Sequence, residues 1–123
     1  MINKGKTVGD ELKTAVSAVD LKVFNDESHN NWMQHSAALN EHLQHINHSG
    51  DIAAPRMSFI GISKSLIALT ESFDPFDGTI YLQHCPMADT NKGADWLSLE
   101  KEILNPYFGE AMLTCGETTK TMN

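Results

Sequence analysis

The stretch RMSFIGISKSLIALTESFDPFDGTIYLQHC (residues 56–85) contains the change of hydrophobic pattern that decides the fold. Up to residue 73, apolar side chains recur every three or four positions, as on one face of an α-helix. They are Phe59, Ile62, Leu66, Leu69 and Phe73. The turn-forming segment 74–78 (DPFDG) ends that pattern. Residues 79–85 (TIYLQHC) are β-branched and aromatic, which predicts a strand after the helix.

Two further helices are predicted upstream, because apolar residues at helical spacing cover residues 8–24 and 27–48. Downstream, residues 99–104 predict a helix of one or two turns, and residues 111–115 (AMLTC) predict a second short strand. We therefore expect a mainly α fold, an antiparallel three- to four-helix bundle with a small C-terminal β-hairpin or extended cap.

The length of the chain predicts one domain over residues 1–123, since domains usually contain about 150 residues. Within it we expect the helical bundle at about 8–73 and the cap at about 79–117. The polar residues 118–123 are expected to form a flexible tail.

Charge and composition exclude several classes of function. The formal net charge is −7, with only nine Lys and Arg residues, which argues against binding to nucleic acid. No apolar run approaches the ~20 residues that cross a bilayer, so we expect no membrane insertion. The first residues, MINKGKTVGD, lack the apolar core of a secretion signal, which by itself indicates the cytosol. No G-x-S-x-G, H-E-x-x-H, phosphate-binding loop or C-x-x-C motif is present, so we do not expect an enzyme.

Both cysteines lie in short clusters of soft donor atoms, HCPMA at residues 84–88 and MLTCGE at 112–117. Thiolates and thioethers select Cu(I), and imidazole also suits copper. If the two extended segments pair, a soft-metal site forms from Cys85, Met87, Met112 and Cys115, with His84 as a possible fifth donor. Two other interpretations remain open from the residues alone. The cysteines could form a disulfide worth about 3–4 kcal/mol, or remain two unlinked thiols.

The second predicted helix contains five of the six histidines, namely His29, His35, His42, His45 and His48. The pairs His42 with His45, and His45 with His48, are three residues apart and could share a metal ion. These three histidines are a secondary candidate metal site. The alternative is that they are polar-face residues near a helix C-terminus, where the helix dipole favours them.

Residues 81–117 resemble a small bacterial domain of unknown function. That domain is found alone or fused to periplasmic heavy-metal efflux adaptor proteins of the CusB/CzcB type. The resemblance rests on the elements CPM, WLS, NPYFG and MLTCG of this chain, and residues 54–63 resemble a helix of the same family. In the similar CPMHP element of heavy-metal-binding domains His-Pro follows the CPM; here Ala88 and Asp89 stand there, so that histidine donor is missing.

The resemblance implies a periplasmic or otherwise extracytoplasmic domain that handles copper, with Cu(I) bound by the sulfur cluster. It implies efflux-system or metallochaperone proteins as partners. The alternative is an interaction domain of an efflux assembly, stabilised by a Cys85–Cys115 disulfide and binding no metal.

Overall fold

The computed structural model describes residues 2–45, 53–74 and 76–123, and the side chains of residues 8–22, 24–44, 55–74, 76–110 and 112–123. The chain forms two compact units, Met1–Ser65 and Leu66–Asn123, and the boundary between them falls within a helix.

Three long helices make up the first half of the chain, as the sequence predicts, although the first begins at Ile2 and ends at Ser17 and does not extend over the predicted residues 8–24. They are α1 (Ile2–Ser17), α2 (Asp26–His45) and α3 (Ala53–Phe73), and a short 3-10 helix, Leu21–Val23, precedes α2. The start of α2 is fixed by Asn25, whose side-chain oxygen accepts a hydrogen bond from the backbone N–H of Ser28 at 2.8 Å.

The apolar stripes predicted on α2 and α3 supply buried residues. Leu39 is fully buried and Leu43 nearly so, on α2, and Ile62 on α3 is 3% exposed. The rings of Phe24 and Trp32 lie 5.8 Å apart between centroids. These side chains cover the inner faces of their helices, as the three-four periodicity predicts.

Gly61 is the point where α3 approaches His42 of α2 most tightly. A Cβ atom at residue 61 would lie 2.4 Å from the imidazole ring, closer than any real contact. The ring of His42, a member of the secondary candidate metal site, therefore packs on Gly61. The side chain of His45 and the whole of His48 lie outside the described residues.

Gly61→Ala should lower the free energy of unfolding by about 1–3 kcal/mol, because the new methyl group overlaps the His42 ring. In a His42→Ala background the same substitution should instead raise it by about 0.5–1 kcal/mol, since alanine is the better helix former. Urea unfolding of the four proteins in this double-mutant cycle measures the difference. Equal effects of Gly61→Ala in both backgrounds would contradict the contact.

A three-stranded antiparallel sheet organises the second unit. Its strands are β1 (Ile80–Cys85), β2 (Ala94–Ser98) and β3 (Glu117–Met122), in the spatial order β2-β1-β3. In the register of β1 with β2, Gln83 lies opposite Trp96. The spatial order makes β1 the central strand, and β1 ends at Cys85.

The predicted fold class is wrong, because this sheet replaces the small hairpin or extended cap on a helical bundle. Residues 94–98, where no strand was predicted, form β2, and most of the expected flexible tail forms β3. Alternation of buried and exposed residues in β2 is the signature of a half-buried strand. Three threonines in β3 favour an extended conformation, although the strand is polar. The strand expected at 111–115 is absent from the described structure, which has a 3-10 helix at Glu110–Met112.

The expected helix at 99–104 does not form, and Gln83 gives the physical reason. Its buried side-chain amide donates hydrogen bonds to the backbone carbonyls of Glu100 and Lys101, at 3.1 and 3.2 Å. Its oxygen accepts a hydrogen bond from the indole N–H of Trp96 at 2.9 Å. These hydrogen bonds occupy carbonyl groups that would otherwise accept hydrogen bonds within a helix. A helix of about one turn is also too short to be stable without tertiary support.

Candidate thiol site

The two cysteines lie side by side in the second unit. Cys85 is the last residue of β1, and Cys115 lies between the 3-10 helix Glu110–Met112 and β3. Their Sγ atoms are 3.1 Å apart. A covalent S–S bond is about 2.05 Å long, so both residues are thiols in hydrogen-bond contact.

Asn105 fixes the loop that carries the second cysteine. It is 2% exposed, and its side-chain amide donates a hydrogen bond to the backbone carbonyl of Cys115 at 2.7 Å. Its side-chain oxygen accepts the N–H of Tyr107 at 2.8 Å, and its own backbone N–H donates to the carbonyl of Leu113 at 2.7 Å. These bonds close the loop from residue 105 to residue 115 on itself and hold Cys115 in place.

Gly116 allows the chain to turn from Cys115 into β3. Its φ is +142°, a backbone conformation that favours glycine. A Cβ atom at this position would lie 2.9 Å from the backbone carbonyl oxygen of His84 and 3.1 Å from the indole of Trp96. The thiol of Cys115 reaches Cys85 because residue 116 has no side chain.

The sulfur of Cys85 is fully buried but surrounded by hydrogen-bond donors. Burial raises the pKa of this thiol, whereas hydrogen bonds from Cys115, from the backbone N–H groups of Met87 and Ala88, and from Asn105 lower it. The donors prevail, so the pKa of Cys85 lies below its ordinary value of 9.0. The pKa of Cys115 is raised, first by its hydrogen bond to Cys85 and then by burial and by the charge on Cys85. The site therefore favours a thiolate at residue 85 beside a thiol at residue 115.

The reduced protein should lose its two thiol protons in separate steps, one below and one above the ordinary pKa of 9.0. The ultraviolet absorbance of the thiolate during a pH titration measures both steps. In Cys115→Ala the remaining thiol loses its S–H donor while it stays buried, so its pKa should rise above that of the first step in the unsubstituted protein. Two coincident steps at the ordinary value would contradict the hydrogen-bonded pair.

The two methionines of the predicted cluster lie next to the thiols in the chain, at the edge of the site. Met87 is 48% exposed, and its backbone N–H donates to the sulfur of Cys85. The backbone carbonyl of Met112 accepts the N–H of Cys115 at 3.1 Å, and its side chain is half-buried. The backbones of both methionines therefore lie close to the sulfur pair.

His84 lies on the face of β1 opposite Cys85, because successive side chains of a strand alternate. Its Nδ1 atom is 2.6 Å from Oδ1 of Asp95, the residue opposite it in β2. The hydroxyl of Tyr107 donates to the backbone carbonyl of Asp95 at 2.6 Å. The imidazole is thus paired with a carboxylate and directed away from the two thiols.

The donor set that the structure brings together is small and soft. Among the described side chains, those of residues 8–22, 24–44, 55–74, 76–110 and 112–123, no three of His, Cys, Asp or Glu come close enough to hold one metal ion. Structural zinc usually takes four such ligands, whereas thiolates and thioethers select Cu(I). Two thiols in contact can hold a soft monovalent ion or exchange electrons with a disulfide.

Sequence reasoning missed how Asn105 and the amides of Met87 and Ala88 serve the site. Asn105 is not among the predicted site residues, and a backbone N–H leaves no signal in the residue types. The one usable sign was the position of Pro86, which fixes φ and favours a turn directly after Cys85.

The molecule combines a three-helix segment with a sheet that carries a pair of thiols. The chain belongs to the family described as Protein of unknown function (DUF3347), which matches residues 3–78, more than half of its length. No curated protein and no solved structure matches the chain. Among the described helices, none is both long enough and apolar enough to cross a membrane.

The family match covers α1, α2 and α3 and ends just before β1. The prediction of a domain of unknown function is therefore confirmed, but on the helical residues and not on residues 81–117, which suggested it. All three strands and both cysteines follow the matched region.

Proposed function

We propose that this chain is an extracytoplasmic protein that binds a soft metal ion, Cu(I), through Cys85 and Cys115 and serves in metal handling or efflux. The observation that carries the proposal is the 3.1 Å separation of the two sulfur atoms. Two segments that are distant in the sequence meet with their thiols in contact, so a small movement apart of the two side chains would let both sulfurs bind one ion.

The surroundings of the sulfurs support a thiolate ligand. Metals bind the deprotonated form of cysteine, and the donors around Cys85 favour that form. Hydrogen bonds from Met87 and Ala88 and from the side chain of Asn105 offset part of the negative charge that two thiolates bring to one ion. The thioethers of Met87 and Met112 are the candidate additional ligands, because thioethers are soft donors and each of these residues is close to a cysteine in the sequence.

The cellular role rests on the resemblance of residues 81–117 to domains associated with heavy-metal efflux adaptors. In that setting the protein would accept Cu(I) from, or deliver it to, an efflux-system or metallochaperone protein. The half-buried Cys115 gives such a partner access to one of the two sulfurs.

A competition titration tests the proposal. Fully reduced protein is titrated with Cu(I) in the presence of a coloured Cu(I) chelator, and the loss of the chelator complex is recorded. We expect about one Cu(I) per chain, and no competition from protein whose thiols have been alkylated. Reduced protein that leaves the chelator complex unchanged would refute the metal site.

The same sulfur contact favours a second candidate, an interaction domain stabilised by a Cys85–Cys115 disulfide. Closure of the thiol pair to a disulfide needs a movement of only about 1 Å. This candidate predicts that protein purified without reductant has no free thiol. It also predicts that Cu(I) does not change the stability of that protein.

A further inference from the structure

We infer that the Cys85–Cys115 pair is also a centre for thiol–disulfide exchange, in which Cys115 attacks an incoming disulfide and Cys85 completes the reaction. The 3.1 Å contact between the sulfurs and their unequal access to solvent carry this inference. The activity goes beyond metal binding and does not depend on it.

Access to solvent assigns the first step to Cys115. The side chain of Cys85 is 0% exposed, at the end of the central strand, whereas that of Cys115 is half-buried. Exchange requires the attacking sulfur to approach the disulfide in line, so the residue that is reached from solvent starts the reaction. The first mixed disulfide therefore forms on Cys115.

Contact geometry assigns the second step to Cys85. Its sulfur lies 3.1 Å from that of Cys115 and accepts hydrogen bonds from the N–H groups of Met87 and Ala88. Because Asn105 holds the backbone carbonyl of Cys115, attack requires little more than a movement of the two side chains.

The two steps balance with a small organic disulfide, RSSR, as the oxidant. The Cys115 thiol gives up its proton as its sulfur forms a bond to one sulfur of RSSR, the S–S bond of RSSR breaks, and RS⁻ leaves. The Cys85 thiolate then attacks the Cys115 sulfur and releases the second RS⁻. The two protons of the cysteines end on the two leaving thiolates, so the protein loses two electrons and RSSR becomes two RSH.

The order of attack is tested on the metal-free, reduced protein. The protein is treated with excess glutathione disulfide, the reaction is quenched with acid, and the mass of the product is measured by mass spectrometry. The unsubstituted chain should lose two hydrogens, retain no glutathione and release two glutathione thiols. Cys85→Ser should retain one glutathione on Cys115, because nothing resolves the mixed disulfide. Cys115→Ser should react at least about tenfold more slowly than Cys85→Ser, because its remaining thiol is buried.

Two results would overturn the inference. One is accumulation of glutathione adducts on the unsubstituted chain in place of the internal disulfide. The other is a Cys115→Ser variant that reacts as fast as Cys85→Ser while circular dichroism shows that both are folded. The metal proposal is judged separately, because a chain that forms the disulfide but ignores Cu(I) when reduced refutes only the metal site. A chain that binds Cu(I) but fails this assay refutes only the exchange reaction.

Discussion

Replacement of either cysteine by serine should weaken Cu(I) binding by at least about 1,000-fold, or ~4 kcal/mol. A serine hydroxyl is a hard, protonated oxygen that cannot replace a soft thiolate on Cu(I). Both sulfurs contribute to one contact of 3.1 Å, so the loss should be similar for Cys85→Ser and for Cys115→Ser. The chelator competition gives the affinity of each variant.

The two variants should differ in stability although they agree in copper binding. Cys85 is fully buried, so a hydroxyl there should lower the free energy of unfolding by about 1–2 kcal/mol. Cys115 is half-buried, and its replacement should change that free energy by no more than about 0.5 kcal/mol. A Cys115→Ser protein that is fully stable and still binds Cu(I) as tightly as before would refute a two-sulfur site.

Methionine substitutions separate the thioethers from the thiols. If the thioethers of Met87 and Met112 assist the two thiols in binding Cu(I), Met87→Leu and Met112→Leu should each weaken the binding by about tenfold. Met57→Leu is the matched control, because Met57 is 67% exposed on α3 and outside the sulfur cluster. An equal response of all three variants would show that the thioethers do not take part.

The largest effect on stability should come from Gly116→Ala, which we expect to lower the free energy of unfolding of the second unit by about 2–4 kcal/mol. The new Cβ would be strained at a φ of +142° and would lie 2.9 Å from the carbonyl oxygen of His84. That oxygen belongs to the central strand, which is paired on both sides and cannot move away.

Fluorescence of Trp96 can follow this unfolding if Trp32, in the first unit, is replaced by phenylalanine in every protein compared. Gly109→Ala is the control, since Gly109 is exposed and has a φ of −79°. A Gly116→Ala protein as stable as the Gly109→Ala control would show that the turn after Cys115 is not constrained as described.

Much of the helical half was predictable because its signals are local. The stripe from Phe59 to Phe73 repeats at the helical period over several turns, and α3 ends at Phe73, just before the predicted turn. Periodicity of that length outweighs the preference of any single residue. The family match to residues 3–78 coincides with this part of the chain.

The sheet was predicted only at β1, because the other strands depend on distant partners. β2 is five residues long, and β3 is mostly exposed and polar, so neither shows an apolar run. The segment 99–104 has a helical composition, yet the side chain of Gln83 binds two of its carbonyl groups. Such long-range hydrogen bonds override local propensity and cannot be read from neighbouring residues.

The candidate site, like the fold, could be predicted from the sequence only in part. The two cysteines and their adjacent methionines were predicted from residue type and spacing, because soft donors are rare and were concentrated in two short segments. His84 was predicted as a possible fifth donor, but in the strand it lies on the face opposite Cys85, and its pairing with Asp95 required knowledge of β2. The three N–H groups around the Cys85 sulfur are a product of the turn and of the loop closed by Asn105.

The first and last residues of the segment 79–123, which contains the three strands, lie next to each other. The hydroxyl of Thr79 donates a hydrogen bond to the side-chain oxygen of Asn123 at 3.0 Å, and Ile80 pairs with Met122. A segment whose two ends lie together can be inserted into a surface loop of another protein without separating the ends of that loop. The two ends of residues 79–123 therefore meet the geometric condition for such an insertion.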